Sequence, residues 1–106
     1  MAKYLVRAIY TADGVRGVLK EGGNSRRDAV AALIEGLGGR LESFYFAFGD
    51  DDVFAIVDLP DGASAAAASM AVSAAGATRS QVTVLLTPDE IDEATRKTST
   101  YRAPGA

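Results

Sequence analysis

The chain has 106 residues, which holds one small domain and not two. It contains no Cys and no His, so disulfides, thiolate zinc sites, cysteine nucleophiles and histidine-based catalysis are excluded. The net charge is −3, and between residues 50 and 93 nine acidic groups face Arg79 alone, which argues against binding a phosphate backbone.

Lys3–Tyr10 alternates and is rich in β-formers, so it reads as a first strand. Thr11 and Asp13 open a short helix in which Val15, Val18 and Leu19 share one face. Gly22-Gly23 interrupts it. Ser25, with Asp28 three residues on, resembles a capping box for a second helical piece. That piece carries the apolar stripe Val30, Leu33, Ile34 and Leu37, and Gly38-Gly39 stops it.

Arg40–Phe48 is a second strand, with Glu42, Phe44, Phe46 and Phe48 on one face and Leu41, Ser43, Tyr45 and Ala47 on the other. Gly49-Asp50-Asp51 has turn chemistry, and Asp52–Leu59 returns as a third strand. Pro60 ends that strand, and Asp61 caps an alanine-rich helix that stops near Gly76. Alanine supplies 20 of the 51 apolar residues, and the larger Val, Ile, Leu, Met and Phe number 27, a thin stock for a full core. Small side chains on this helix suit close approach to a neighbouring element. Arg79–Leu86 is a fourth strand with Val82, Val84 and Leu86 on one side. Thr87-Pro88-Asp89-Glu90 then starts a short helix running to about Lys97.

The order β-α-β-β-α-β, followed by a helix and a tail, is the split βαβ arrangement of an α+β, ferredoxin-like domain over residues 1–97, with 98–106 as a tail. Its antiparallel sheet carries helices on one face only. Both faces of the second strand are aromatic, so the face that misses the helices is expected to be covered by another copy of the chain. The phenylalanine-bearing side is the one expected to need that cover, which makes the protein at least a dimer.

The chain also resembles the GYD domain family. The resemblance rests on Tyr4 with Tyr10-Thr11, Gly14-Val15-Arg16-Gly17, Arg26-Arg27 and Leu37-Gly38-Gly39-Arg40-Leu41. It continues through Phe44-Tyr45-Phe46-Ala47-Phe48-Gly49, Asp52-Val53, Asp58-Leu59-Pro60-Asp61, Ala75-Gly76-Ala77 and Leu85-Leu86-Thr87-Pro88. It implies a dimeric α+β barrel, in which two ferredoxin-like subunits pair sheet to sheet, and it transfers no catalytic residues. The namesake Gly, Tyr and Asp fall in Gly49–Asp52, where this chain has Asp51 in place of the tyrosine.

Few residues suggest chemistry. Asp50-Asp51-Asp52 is a solvated hairpin tip rather than a cation site, because neighbours on an extended chain point apart. The aromatic strand runs into aspartates instead of interleaving with Lys and Arg, which disfavours RNA. Gly36–Arg40 ends a helix, whereas phosphate cradles begin one. Arg26-Arg27 reads as a solvated pair balanced by Asp28. Arg7, between Leu5 and Ile9, is an awkward charge on a strand face. With Glu42, Asp58, Arg79 and Tyr10 or Tyr45 it forms either a polar pocket or plain ion pairs.

The expected ligand-contacting residues are Arg7, Tyr10, Glu42, Phe44, Tyr45, Phe46, Asp52 and Arg79. No metal, cofactor, nucleic acid or membrane is implied. With Met1-Ala2-Lys3 leading directly into a strand and no secretory pattern, a bacterial-type cytoplasmic protein is expected. Three functions fit. The first is a non-catalytic homo-oligomer holding a small apolar or aromatic ligand against the sheet. The second is a cofactor-independent oxygenase- or isomerase-like enzyme working through Tyr10, Tyr45, Glu42, Asp52 or Asp58. The third is a purely structural module whose interior is packed solid.

Overall fold

A computed structural model describes residues 1–106. The elements run β1 (Ala2–Tyr10), α1 (Ala12–Glu21), α2 (Gly23–Gly36), β2 (Arg40–Phe46), β3 (Val53–Leu59), α3 (Gly62–Ala74), β4 (Thr78–Leu85) and α4 (Pro88–Thr95). The strands form one sheet in the order β2-β3-β1-β4, every neighbouring pair antiparallel. This is the α+β, ferredoxin-like arrangement that the element order implies. No helix is long and apolar enough to cross a membrane.

Side-chain parity decides which face the helices cover. Tyr4 and Ala8 on β1, with Val53, Ala55, Val57 and Leu59 on β3, are buried beneath them. In register with these lie Leu41, Phe44 and Phe46 on β2 and Thr78, Ser80, Val82 and Val84 on β4. The phenylalanines of β2 therefore meet the chain's own helix layer, contrary to the expectation that a second copy shields them. Phe44 and Phe46 touch edge to face at 5.3 Å, and Phe46 stacks on Tyr10 at 6.4 Å. The face left open carries Leu5, Arg7 and Ile9 of β1, Phe54 and Ile56 of β3, and Tyr45 of β2.

A β-bulge between Leu41 and Ser43 corrects a second expectation. Strict alternation puts Glu42 beside Phe44. The bulge inserts one residue, so Leu41 stays on the helix side while Glu42 reaches Lys3 on the open face. β2 also ends at Phe46. Ala47 donates its N–H to the carbonyl of Asp52, and Phe48 stands fully in solvent rather than in line with Phe44.

The caps follow the sequence signals with one exception. Thr11 accepts from the Gly14 N–H, Asp61 from the Ser64 N–H, and Thr87 and Glu90 close a reciprocal capping box. The expected Ser25–Asp28 box does not form. The chain turns at Gly22, with φ of 88°, and starts α2 two residues before Ser25, leaving Asp28 to pair with Arg27. Leu86 lies beyond β4 rather than within it. The apolar stripe of α1 is likewise not its packed face, since Leu19 is 81% exposed. What seats α1 is Gly14, buried against Ala77 and the Tyr10 ring.

The C-terminal segment leaves the body. α4 has no buried residue, and the residues after it form no further helix or strand. The radius of gyration is 16.9 Å, against about 13 Å for a compact chain of this length.

Gly14 supplies a test of this seating. A Cβ there would collide with the Ala77 carbonyl oxygen and crowd Tyr10 at 2.8 Å, whereas one at Gly17 of the same helix would meet nothing within 4 Å. Gly17→Ala is expected to stabilise by about 0.5–1 kcal/mol through helix propensity. Gly14→Ala is expected to destabilise by about 1–3 kcal/mol, because overpacking outweighs the same gain. Urea unfolding of the two variants measures both signs.

Candidate functional site

α2 sits over β2 and α3 over β4, so the helix layer is thinnest above the two central strands. Near one end of the sheet the layer closes around Tyr4, Ile34, Val57, Leu59 and Ala65. Toward the other end the facing side chains are small. The stripe of α3 turned inward is Ala65, Ala68, Ser69, Val72 and Ala75, and the strands beneath supply Ala8 and Ala55. The result is an apolar cleft of about 300 Å³. Its floor is β1 and β3, and its walls include Val30, Leu33 and Phe44 on one side and α3 on the other.

The polar lining is confined to four side chains besides the tyrosines: Arg26, Ser69, Thr78 and Ser80. Register places Thr78 opposite Tyr10 and Ser80 opposite Ala8, and Arg26 of α2 acts on the Tyr10 hydroxyl, so three of the four share the Tyr10 end. Burial raises the Tyr10 pKa above the ordinary phenol value, and the nearby Arg26 guanidinium opposes that rise without cancelling it. Tyr10 therefore stays a neutral hydrogen-bond donor at physiological pH. Arg26 is held from outside by Glu21 at 3.3 Å, not by Asp28. The Thr78 hydroxyl is buried with no hydrogen-bond partner.

The eight residues singled out from the sequence divide between the two faces of the sheet. Tyr10 and Phe44 line the cleft, and Phe46 packs beside them. Asp52 lies behind Tyr10, its carboxylate accepting the Tyr10 backbone N–H at 2.9 Å. Arg7, Glu42, Tyr45 and Arg79 belong to the open face, so no single pocket gathers the set. There Asp58 accepts from Lys3 at 2.9 Å and Arg40 at 3.0 Å, and Lys3 also reaches Glu42 at 3.2 Å. Arg7 bonds Gln81 and lies 3.7 Å from Asp51, the residue standing where the resemblance expects tyrosine. Arg79 forms no ion pair. Adjacent aspartates at the hairpin tip thus point to opposite faces, Asp51 to Arg7 and Asp52 to Tyr10.

Acid–base catalysis of the kind considered for this chain needs a carboxylate beside a tyrosine hydroxyl in a cavity. No carboxylate lines the cleft. Asp52 engages the Tyr10 backbone rather than its hydroxyl, and Asp58 is committed to two cations on the far face. The residues that sequence reasoning missed are Arg26, Thr78 and Ser80. Arg26 looked like half of a solvated pair. The alternation of β4 placed Ser80 with Val82, yet nothing local marked that side as a cavity wall.

The ion cluster on the open face predicts a pH dependence. Lys3 is the main cause that holds the Asp58 carboxyl below its ordinary pKa, with Arg40 adding to it. A depressed folded-state value adds stability that is full above the unfolded carboxylate pKa and lost as pH falls through the folded one. Asp58→Asn should therefore cost about 1–3 kcal/mol at pH 7 in urea unfolding, a difference that shrinks below about pH 4.

The GYD domain family model matches residues 4–95, nearly the whole chain. No curated protein and no solved structure is significantly similar to it.

Proposed function

This chain belongs to the GYD domain family, and we propose that it is a non-catalytic binding protein that works as a homodimer. Each copy holds a small apolar or aromatic molecule in the cleft between α2, α3 and the sheet. The observation that carries this reading is the cleft itself. Its volume of about 300 Å³ is at the lower end of the range for small-molecule sites, and apolar walls with a few convergent polar groups are their usual lining. The reading places the ligand under the helices, on the side opposite the pairing surface. Absence of a carboxylate from the lining favours binding over the enzymatic alternative.

The second copy covers the open face. Leu5, Ile9, Phe54 and Ile56 make an apolar patch there, interrupted by Arg7 with its partner Asp51 and bounded at one end by the Lys3–Asp58–Arg40 cluster. A two-fold axis brings such a face onto itself, apolar patch to apolar patch. Leu86, Ile91 and Tyr101, beyond the sheet, and Val84 near the end of β4 also lack cover in their own chain, which favours an assembly larger than one copy. A cysteine-free chain suits the reducing cytoplasm, where this dimer would act.

Two experiments test the proposal separately. Ala68→Leu adds volume inside the cleft and is expected to weaken binding of an apolar fluorescent probe at least tenfold, while stability holds or rises by about 0.5–2 kcal/mol. Undiminished probe binding by that variant, in fluorescence titration, removes the ligand from the cleft. For the pairing, sedimentation at micromolar concentration should show twice the 11.0 kDa chain mass. Phe54→Glu should reduce it to one copy with an unchanged far-ultraviolet spectrum. A wild-type chain that sediments as a folded single copy ends the dimer reading.

A further inference from the structure

Resting on the reading that the cleft binds an apolar molecule, we propose that its occupant is an amphiphilic monoanion, with a carboxylate-type head at the Tyr10 end and an apolar body toward Tyr4 and Leu59. The cleft is polarised along its length. At the Tyr4 end the lining is Tyr4, Ile34, Val57, Leu59 and Ala65, packed as continuous core. At the other end the antiparallel register of β1 and β4 sets Thr78 beside Tyr10 and Ser80 beside Ala8, and α2 brings Arg26 to the same place.

The charge at that end has one sign. Arg26 is the only ionised group in the lining, with no carboxylate opposite it inside the cleft. Its one ion-pair partner, Glu21, is 3.3 Å away and exposed, which engages one edge of a guanidinium that carries five N–H donors. The guanidinium also acts on the Tyr10 hydroxyl as a donor, and it lines a site walled by apolar side chains, where a charge-assisted bond to a carboxylate is strongest. A cationic head would be repelled.

A second, independent observation is the orphaned Thr78 hydroxyl. Buried hydroxyls without a partner are rare in folded proteins, because desolvation is not compensated. Thr78 lines the cleft next to Tyr10, but its hydroxyl oxygen is closed off from solvent, so a ligand oxygen supplies the missing acceptor once the Thr78 side chain turns toward the cleft. Tyr10, a neutral phenol whose pKa burial raises, is a further donor. Arg26 offers donors alone at this end, and the Tyr10 and Thr78 hydroxyls can each add one, so an oxygen-rich anion fits it.

The test compares two probes of one shape, 2-naphthoate and neutral 2-naphthamide, by isothermal titration at pH 7.5 and low salt. The wild-type chain should prefer the carboxylate at least tenfold. Arg26→Gln should abolish that preference, Arg26→Lys should keep most of it, and Thr78→Val should weaken naphthoate about threefold or more. Thermal melts check that each variant is folded, and amide shifts at Thr78 and Ser80 locate the head. Equal binding of the two probes overturns the anionic head and leaves the apolar cleft standing. Binding of neither at millimolar concentration overturns both readings.

Discussion

Packing between the sheet and its helices is limited by how little side chain the middle of that layer supplies. Ala8 and Ala55 on the central strands look up at Ala68, Ala71 and Ala75 on α3. Protein interiors otherwise fill to the density of organic crystals. A closed, dry void of about 300 Å³ would cost on the order of 7 kcal/mol at the usual penalty per unit volume, comparable with the whole stability of a small domain. The fold avoids that cost by leaving the space open to solvent. Alanine in α3 lets the helix lie close on β4, and the same small side chains leave room over β1 and β3.

The sheet separates two surfaces by parity alone. Even-numbered positions of β1 face the cleft, and the odd ones face away. The same rule on β2 is interrupted by the bulge at Leu41–Ser43, which keeps Leu41 in the core and still delivers Glu42 to Lys3. If the same residues alternated strictly with no bulge, either Leu41 would leave the core or Phe44 and Phe46 would turn outward, because a one-residue slip reverses every side chain beyond it.

The fold was legible in the sequence because its signals are local. Thr87-Pro88-Asp89-Glu90, Asp61, and the glycines at 38 and 76 each act within a few residues, and the structure uses each as a cap or stop. Alternation in β1 and β3 is unbroken, and so it placed Leu5, Arg7 and Ile9 together. The bulge was not legible, since Glu42-Ser43 carries no glycine and reads as ordinary alternation. Nor was the early start of α2, where a backbone turn at Gly22 outcompeted the side-chain signal at Ser25. The cleft depends on what is missing between distant elements. A scarcity of large apolar residues is visible in the composition, but its location requires knowing that α3 faces Ala8 and Ala55. Arg26 belonged to the site only once α2 was laid beside Tyr10.

The hairpin tip ties the two surfaces to one short segment. Asp52 accepts the backbone N–H of Tyr10 and donates its own to Ala8, so it fixes the end of β1 where the chain leaves for α1. Asp51, one residue earlier, turns to Arg7 on the opposite face. A tyrosine at that position would present an aromatic ring where this chain presents a carboxylate paired with a cation. The change therefore acts on the open face and leaves the cleft-side anchor, Asp52, in place. Alternation along the strand makes the two surfaces separable in sequence: Phe54 belongs to the pairing face and Ala55 to the cleft floor. Coupling between them would require a backbone movement that shifts both, and the segment best placed to transmit it is the one Asp52 pins.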